Sequence, residues 1–137
     1  MTAGYSGTPL ARKLSLKGGM RLWWDGVPKS VSDEIHGGLE EQGVAVQLLG
    51  APDAPIDAAH IFTASRREME AKLHHLLPLL GPGGFIWVSW PKKASKVPTD
   101  ITEDMIREVA LPMGLVDVKV CAVDATWSGL KLMRRRK

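Results

Sequence analysis

The chain has 137 residues, of which 45% are hydrophobic and 24% charged, an ordinary globular composition for one domain. These figures exclude a disordered chain, a collagen-like repeat and a disulfide scaffold, and a chain of this length buries roughly 68% of its unfolded surface, enough for one core. The net charge is +3, but removing Arg134, Arg135, Arg136 and Lys137 leaves 14 cations against 15 carboxylates. The basic character therefore belongs to the tail, which reads as a solvated terminus. No basic stripe with stacking aromatics is visible along the sequence, which argues against a nucleic-acid partner. The one cysteine, Cys121, cannot close an internal disulfide and sits in the apolar run 116–123, as a buried structural thiol would. No apolar run approaches the ~18 residues that span a membrane, and no apolar signal region opens the chain. The expectation is a cytoplasmic protein without membrane contact.

The elements follow in order. Thr8 suits an N-cap and Pro9 a first helical position, giving a short helix through Leu14. Residues 20–24 form the first strand, ended by Asp25-Gly26-Val27-Pro28. Residues 30–42 form a weak helix, with Val31, Ile35 and Leu39 on one face and Gly37-Gly38 lowering its propensity. Residues 44–49 are the second strand and 58–63 the third. Ser65 and Glu68 open a helix in capping-box spacing, with an apolar stripe at Met69, Leu73, Leu76 and Leu80; Pro78 should kink or end it. Gly81-Pro82-Gly83-Gly84 is a break before the fourth strand, 85–90, the most hydrophobic run. A basic loop spans 91–98. Asp100 and Glu103 cap the next helix, whose stripe is Ile101, Met105, Val109 and Met113. Strands at 115–123 and 129–133 close the chain.

Strands alternate with helices until the last two, which have no room for a helix between them. This pattern predicts an α/β fold: a three-layer Rossmann-like domain over residues 1–137, mostly parallel, with a C-terminal antiparallel hairpin. The sixth strand is placed at the sheet edge, where Lys131 and the arginine tail would blunt pairing. Trp87 reads as core, and Trp23 and Trp24 face opposite sides of the sheet.

Leu79-Leu80-Gly81-Pro82-Gly83-Gly84 before a late strand resembles the turn of class I methyltransferases, and the strands at Gly114-Leu115 and Trp127-Ser128-Gly129-Leu130 resemble that fold's terminal hairpin. The likeness covers roughly residues 60–134 in order and pattern. More narrowly, Gly4-Tyr5-Ser6-Gly7-Thr8-Pro9-Leu10, Trp90-Pro91-Lys92-Lys93-Ala94-Ser95 and the string 116–124 resemble a bacterial family of uncharacterised proteins, the domain of unknown function numbered three-thousand-and-fifty-two. That resemblance implies a fold and a bacterial origin, and no activity.

The methyltransferase likeness implies a glycine-rich loop after the first strand to cradle S-adenosylmethionine, as in other doubly wound nucleotide sites, and an acid closing the second strand for the ribose hydroxyls. The loop here, 25–30, has one glycine; Val27 adds a β-carbon and Pro28 removes an N–H. The second strand ends Leu48-Leu49-Gly50, and the nearest acid is Asp53. Both handles are missing, so the expectation is that no cofactor is bound. His36, His60, His74 and His75 show no metal-ligand spacing, and His60 reads as a strand histidine in the core. No catalytic constellation is legible.

The candidate site is the loop after the fourth strand: Trp90, Lys92, Lys93, Ser95 and Lys96, beyond the carboxyl end of a strand where open α/β sheets bind ligands. Lysines attract anions as point charges, and Trp90 adds an apolar face and a donor. Ser89 and Asp25 should emerge at the same edge, and Thr8 would join them. A bland reading stands beside it, a solvated lysine loop. The functional expectation is a non-catalytic binding or regulatory protein holding an anionic small molecule or an acidic protein surface at this loop. The alternatives are an atypical S-adenosylmethionine- or nucleotide-dependent enzyme and a module dimerising through a tryptophan-bearing face.

Overall fold

The computed structural model describes residues 8–135; residues 4–7 of the family-like string and the tail cations Arg136 and Lys137 lie outside them. Ten elements follow in order: α1 (Leu10–Lys13), β1 (Arg21–Asp25), α2 (Lys29–Glu41), β2 (Gln47–Leu48), β3 (Ile56–Phe62), α3 (Arg66–Leu76), β4 (Leu80–Pro91), α4 (Glu103–Ala110), β5 (Leu115–Ala122) and β6 (Trp127–Arg134). The sheet runs β2-β1-β3-β4-β6-β5. Its first four strands are parallel, and β6 lies antiparallel between β4 and β5. The α/β Rossmann-like architecture with a C-terminal antiparallel pair is as the strand–helix alternation predicts.

Side-chain alternation on each strand feeds two cores. On one face Leu22, Ala58, Phe62, Phe85 and Trp87 meet α1 and α2 through Leu10, Leu14, Val31 and Ile35. On the other, Ala59, Ile61, Ile86, Val88 and Trp90 meet α3 and α4 through Met69, Leu73, Ile106 and Val109. A strand covered on both faces must be apolar throughout, and residues 84–91 of β4 are buried without interruption. Trp23 packs toward α3 and Trp24 toward α2, splitting as adjacent strand residues must. The Trp87 indole N–H donates to the Leu14 carbonyl at 2.9 Å and ties α1 to the sheet.

Local chemistry sets several boundaries. Ser65 caps α3 by accepting from the Glu68 N–H at 3.2 Å, and a 3-10 turn through Pro78 ends it. The glycine run 81–84 bends β4 without ending it. Pairing steps from Ile56↔Leu80 to Ala58↔Phe85 across it, and a Cβ at Gly84 would stand 2.7 Å from the Ile56 carbonyl oxygen.

Four expectations are corrected. Thr102, not Asp100, caps α4, accepting from the Met105 N–H; the Asp100 carboxylate accepts from the Arg66 N–H at 2.7 Å instead. Pro9, not Thr8, is the N-cap of α1, which spans four residues. Strand β2 keeps only two residues, paired with β1 at Arg21↔Gln47 and Leu22↔Leu48. The edge beyond the hairpin is β5, and β6 is interior. Strand β5 is blunted by a bulge between Asp117 and Lys119, a common protection of exposed edges.

Candidate functional site

The carboxyl end of β1 is closed by ion pairs. Asp25 faces α3, and Lys72 Nζ donates to its Oδ1 at 3.0 Å and to Glu68 Oε1 at 3.3 Å. Thr63 at the end of β3 donates from its hydroxyl to the same Glu68 oxygen at 2.8 Å. Burial alone would lower the Lys72 ammonium, but the two carboxylates outweigh it and hold the group above its ordinary value. The Thr63 hydroxyl, and then Lys72, hold Glu68 below the usual carboxylate range. Gly26 follows with φ +75°, and a Cβ there would stand 3.0 Å from the Phe62 carbonyl oxygen. This is a close backbone approach that only glycine permits.

These residues do not fit S-adenosylmethionine in its common seat. Val27 and Pro28 follow Gly26 where a cradle needs further glycines, and Pro28 is the N-cap of α2. Beyond β2 the Asp53 carbonyl, with that of Pro55, is held by the Arg21 guanidinium. The cavity between β1 and α3, lined by Trp23, Asp25, Pro52, Lys72, His75 and Leu76, measures about 140 Å³. Ligand sites commonly span about 300–1,000 Å³.

Ser89 is fully buried and stands 2.7 Å from His60 Nε2. The His60 ring stacks on Phe62 at 4.4 Å between centroids. Burial lowers the imidazole to about 3, so it is neutral at physiological pH. The pair is a satisfied core hydrogen bond on the α1/α2 face. Asp25 therefore does not meet Ser89: they lie on opposite faces of the sheet, with β3 between their strands.

The lysine loop divides as well. Trp90 is buried toward α3 and α4, with neither face offered to a ligand. The Ser95 hydroxyl donates to the Lys92 carbonyl at 2.6 Å and accepts from the Val97 N–H, closing its own turn. Lys93 and Lys96 are exposed. Lys92 and Thr8 do come together, in a cavity of about 400 Å³ that Lys13, Glu34 and residues 122–125 also line. A second cavity of about 260 Å³ adjoins it, sharing Lys13 and Ala122 and adding Lys119, Val120 and Cys121. Burial pushes the Cys121 thiol up, with Lys13, Lys119 and Lys92 pulling the other way.

Sequence reasoning missed Lys13, Glu34, Lys119 and Asp124. A charge inside a strand was visible at position 119, but the hairpin register that turns it toward α1 was not. Among the described residues, no cluster of three histidines, cysteines or carboxylates could hold a metal ion, and no helix is long and apolar enough to cross a membrane.

No family model matches the chain, and no curated protein does. Solved structures do. A putative type 11 methyltransferase from Sulfolobus solfataricus superposes with a TM-score of 0.61 at 14% identity, over 93% of this chain and 90% of that one. A SAM-dependent methyltransferase from Aquifex aeolicus gives 0.60 at 16%, over 90% and 86%. A ribosomal protein L11 methylase from Lactobacillus delbrueckii subsp. bulgaricus gives 0.58 at 13%, over 93% and 75%. These likenesses establish the methyltransferase-like Rossmann fold. On these likenesses the expectation of a non-catalytic protein holding an anion at the 92–96 loop is withdrawn.

Proposed function

We propose that the chain is an atypical S-adenosylmethionine-dependent enzyme of the methyltransferase-like class, working as one domain in the bacterial cytoplasm. The observation that carries this reading is the sheet. Antiparallel β6 lies between β4 and β5, and the whole arrangement superposes on a SAM-dependent methyltransferase over 90% of this chain and on a putative type 11 methyltransferase over 93%. The narrower membership, in the uncharacterised bacterial family, rests on the sequence strings around Trp90 and Val116.

The atypical part is the end of β1. Asp25 and Lys72 stand across it, the glycine cradle is reduced to Gly26, and no acid closes β2. Bound S-adenosylmethionine would supply an activated methyl group. What this chain supplies at its carboxyl edge is a closed polar network at Asp25, Thr63, Glu68 and Lys72, and beside α1 a cavity of ligand size. His60 is too well buried and too weakly basic to take a proton at neutral pH.

The test is a thermal-shift titration with S-adenosylhomocysteine, the product form. A ligand at 100 times its dissociation constant stabilises by about 2.7 kcal/mol, which raises melting by roughly 8 °C in a domain of this size. A saturable shift of that order is expected, abolished by no change of salt. A flat titration up to millimolar ligand would remove the enzyme reading.

A further inference from the structure

Lysines gather where α1 meets the β5–β6 hairpin. Lys119 on β5 and Lys131 on β6 are direct register partners. Both reach toward α1: Lys119 Nζ donates to the Lys13 carbonyl at 2.9 Å and Lys131 Nζ to the Ser15 hydroxyl at 3.1 Å. Like charges placed opposite each other on neighbouring strands destabilise the pair. Lys131 is also half-buried, with its ammonium 4.2 Å from the Phe85 ring centroid. Burial first, then Lys119 and Lys17, hold it below the ordinary lysine value.

The cluster continues without interruption. Lys13 and Lys119 line the 260 Å³ cavity, and Lys13 and Lys92 line the 400 Å³ cavity beside it. Among the described residues, Lys17, Lys92, Lys119 and Lys131 enter no ion pair. Two carboxylates border the larger cavity, Glu34 and Asp124. Asp124 is committed to its own turn, accepting from the N–H groups of Thr126 and Trp127 at 2.8 Å. A fold that sets lysines against one another, and partly dehydrates one, departs from the local consistency expected away from functional sites.

We infer that the groove between α1 and the β5–β6 hairpin binds a phosphate-bearing small molecule, the substrate of the enzyme proposed above. Lysines suit phosphate as point charges on flexible stems. Two adjoining cavities sharing Lys13 suit a molecule with two anionic groups. Among the described residues, no aromatic side chain lines either cavity to stack the bases of a nucleic acid. The word substrate rests on the enzyme reading; the binding of phosphate does not.

Inorganic pyrophosphate is the probe, titrated into the full chain at constant ionic strength. It should raise the melting temperature saturably, and Lys119→Glu should weaken its binding tenfold or more. Lys119→Glu should itself melt no lower than the parent, because it replaces an opposed cation with a partner for Lys131. Lys131→Gln should show the same loss of binding. Unchanged pyrophosphate affinity in Lys119→Glu would overturn the inference, as would equal stabilisation by potassium chloride at the same ionic strength. A short RNA bound through these lysines, with pyrophosphate ignored, would overturn the small-molecule assignment. S-adenosylhomocysteine titrated on the same samples separates the two readings: a pyrophosphate response without a cofactor response keeps the groove and sinks the enzyme, and the converse keeps the enzyme and sinks the groove.

Discussion

The two faces of the sheet treat charge in opposite ways. On the α3/α4 face two cations are matched by carboxylates. Arg107 of α4 contacts Glu103, Asp104 and Asp117, and Lys72 of α3 contacts Asp25 and Glu68. On the α1 side of the hairpin, Lys119 stands opposite Lys131 and neither enters an ion pair among the described residues. The first face has the electrostatics of a surface arranged for its own stability. The second has the electrostatics of a surface waiting for an anion. Open α/β sheets commonly bind ligands beyond the carboxyl ends of their strands, but at the end of β1 the matched charges leave a cavity of only about 140 Å³. The opposed lysines Lys119 and Lys131, with adjoining cavities of about 400 and 260 Å³, lie beside α1, while a cavity of about 340 Å³ lies between α3 and α4.

The largest effects should come from the apolar layer beneath each face. Trp87→Ala removes a fully buried indole from the α1/α2 core and Leu73→Ala a fully buried side chain from the α3/α4 core. Each should cost about 2–5 kcal/mol by denaturant unfolding, with Trp87 at the upper end. The comparison sharpens in hydrogen exchange. Trp87→Ala also deletes the bond to the Leu14 carbonyl, so protection across 10–16 should fall further than in Leu73→Ala. Equal loss there in both variants would mean that α1 is held by the core as a whole and not by that indole.

A smaller effect should appear on acidification. His60 is lowered from 6.5 to about 3. Above the ordinary value the imidazole is neutral in folded and unfolded chains, and it contributes no pH dependence. Below it the unfolded chain takes up a proton that the folded chain refuses, so stability falls as pH falls through the interval from 6.5 toward 3. At pH 5 the loss is about 2 kcal/mol relative to pH 8. Unfolding of the parent and of His60→Gln should therefore differ in slope over this interval, the variant being flatter. Parallel slopes would mean that the His60 ring is hydrated or accepts its proton in place.

How much of this was legible in the sequence depends on the range of the interaction. The Ser65–Glu68 cap, the Pro78 stop, the core role of Trp87 and the split of Trp23 from Trp24 are local facts of spacing, and the structure has them. Placing β6 at the edge failed because a hairpin's own sequence does not say which of its strands reaches back to β4. Asp100 failed as a cap because Arg66, far along the chain, offered its N–H first. The candidate loop divides for the same reason: Ser89 and Trp90 are neighbours in sequence, yet Trp90 turns with Asp25 to one face and Ser89 to the other. The lysines that do gather are separated by as many as 118 positions, from Lys13 to Lys131, and only the register of β5 with β6 brings them together.

The finest distinction between the faces lies in single charges, where the same kind of change should have opposite signs. Lys72→Met removes a cation shared by two carboxylates, with side chains about a quarter to a half exposed. Partly exposed pairs of this kind contribute about 0.5–1 kcal/mol, and the variant should lose that much. It should lose less at high salt, since screening already weakens the pair. Lys119→Glu exchanges a repulsive cross-strand neighbour for an attractive one and should gain a few tenths to about 1 kcal/mol, again less at high salt. Both are read in one set of chemical unfolding curves at low and high ionic strength. If Lys119→Glu were destabilising at low salt, the lysines on the α1 side would already be answered by charge nearby, and the contrast between the two faces would collapse. If it stabilises while pyrophosphate binding is lost, the opposed lysines are kept at a cost to the fold, and the α1 groove is the part of the molecule arranged for a ligand.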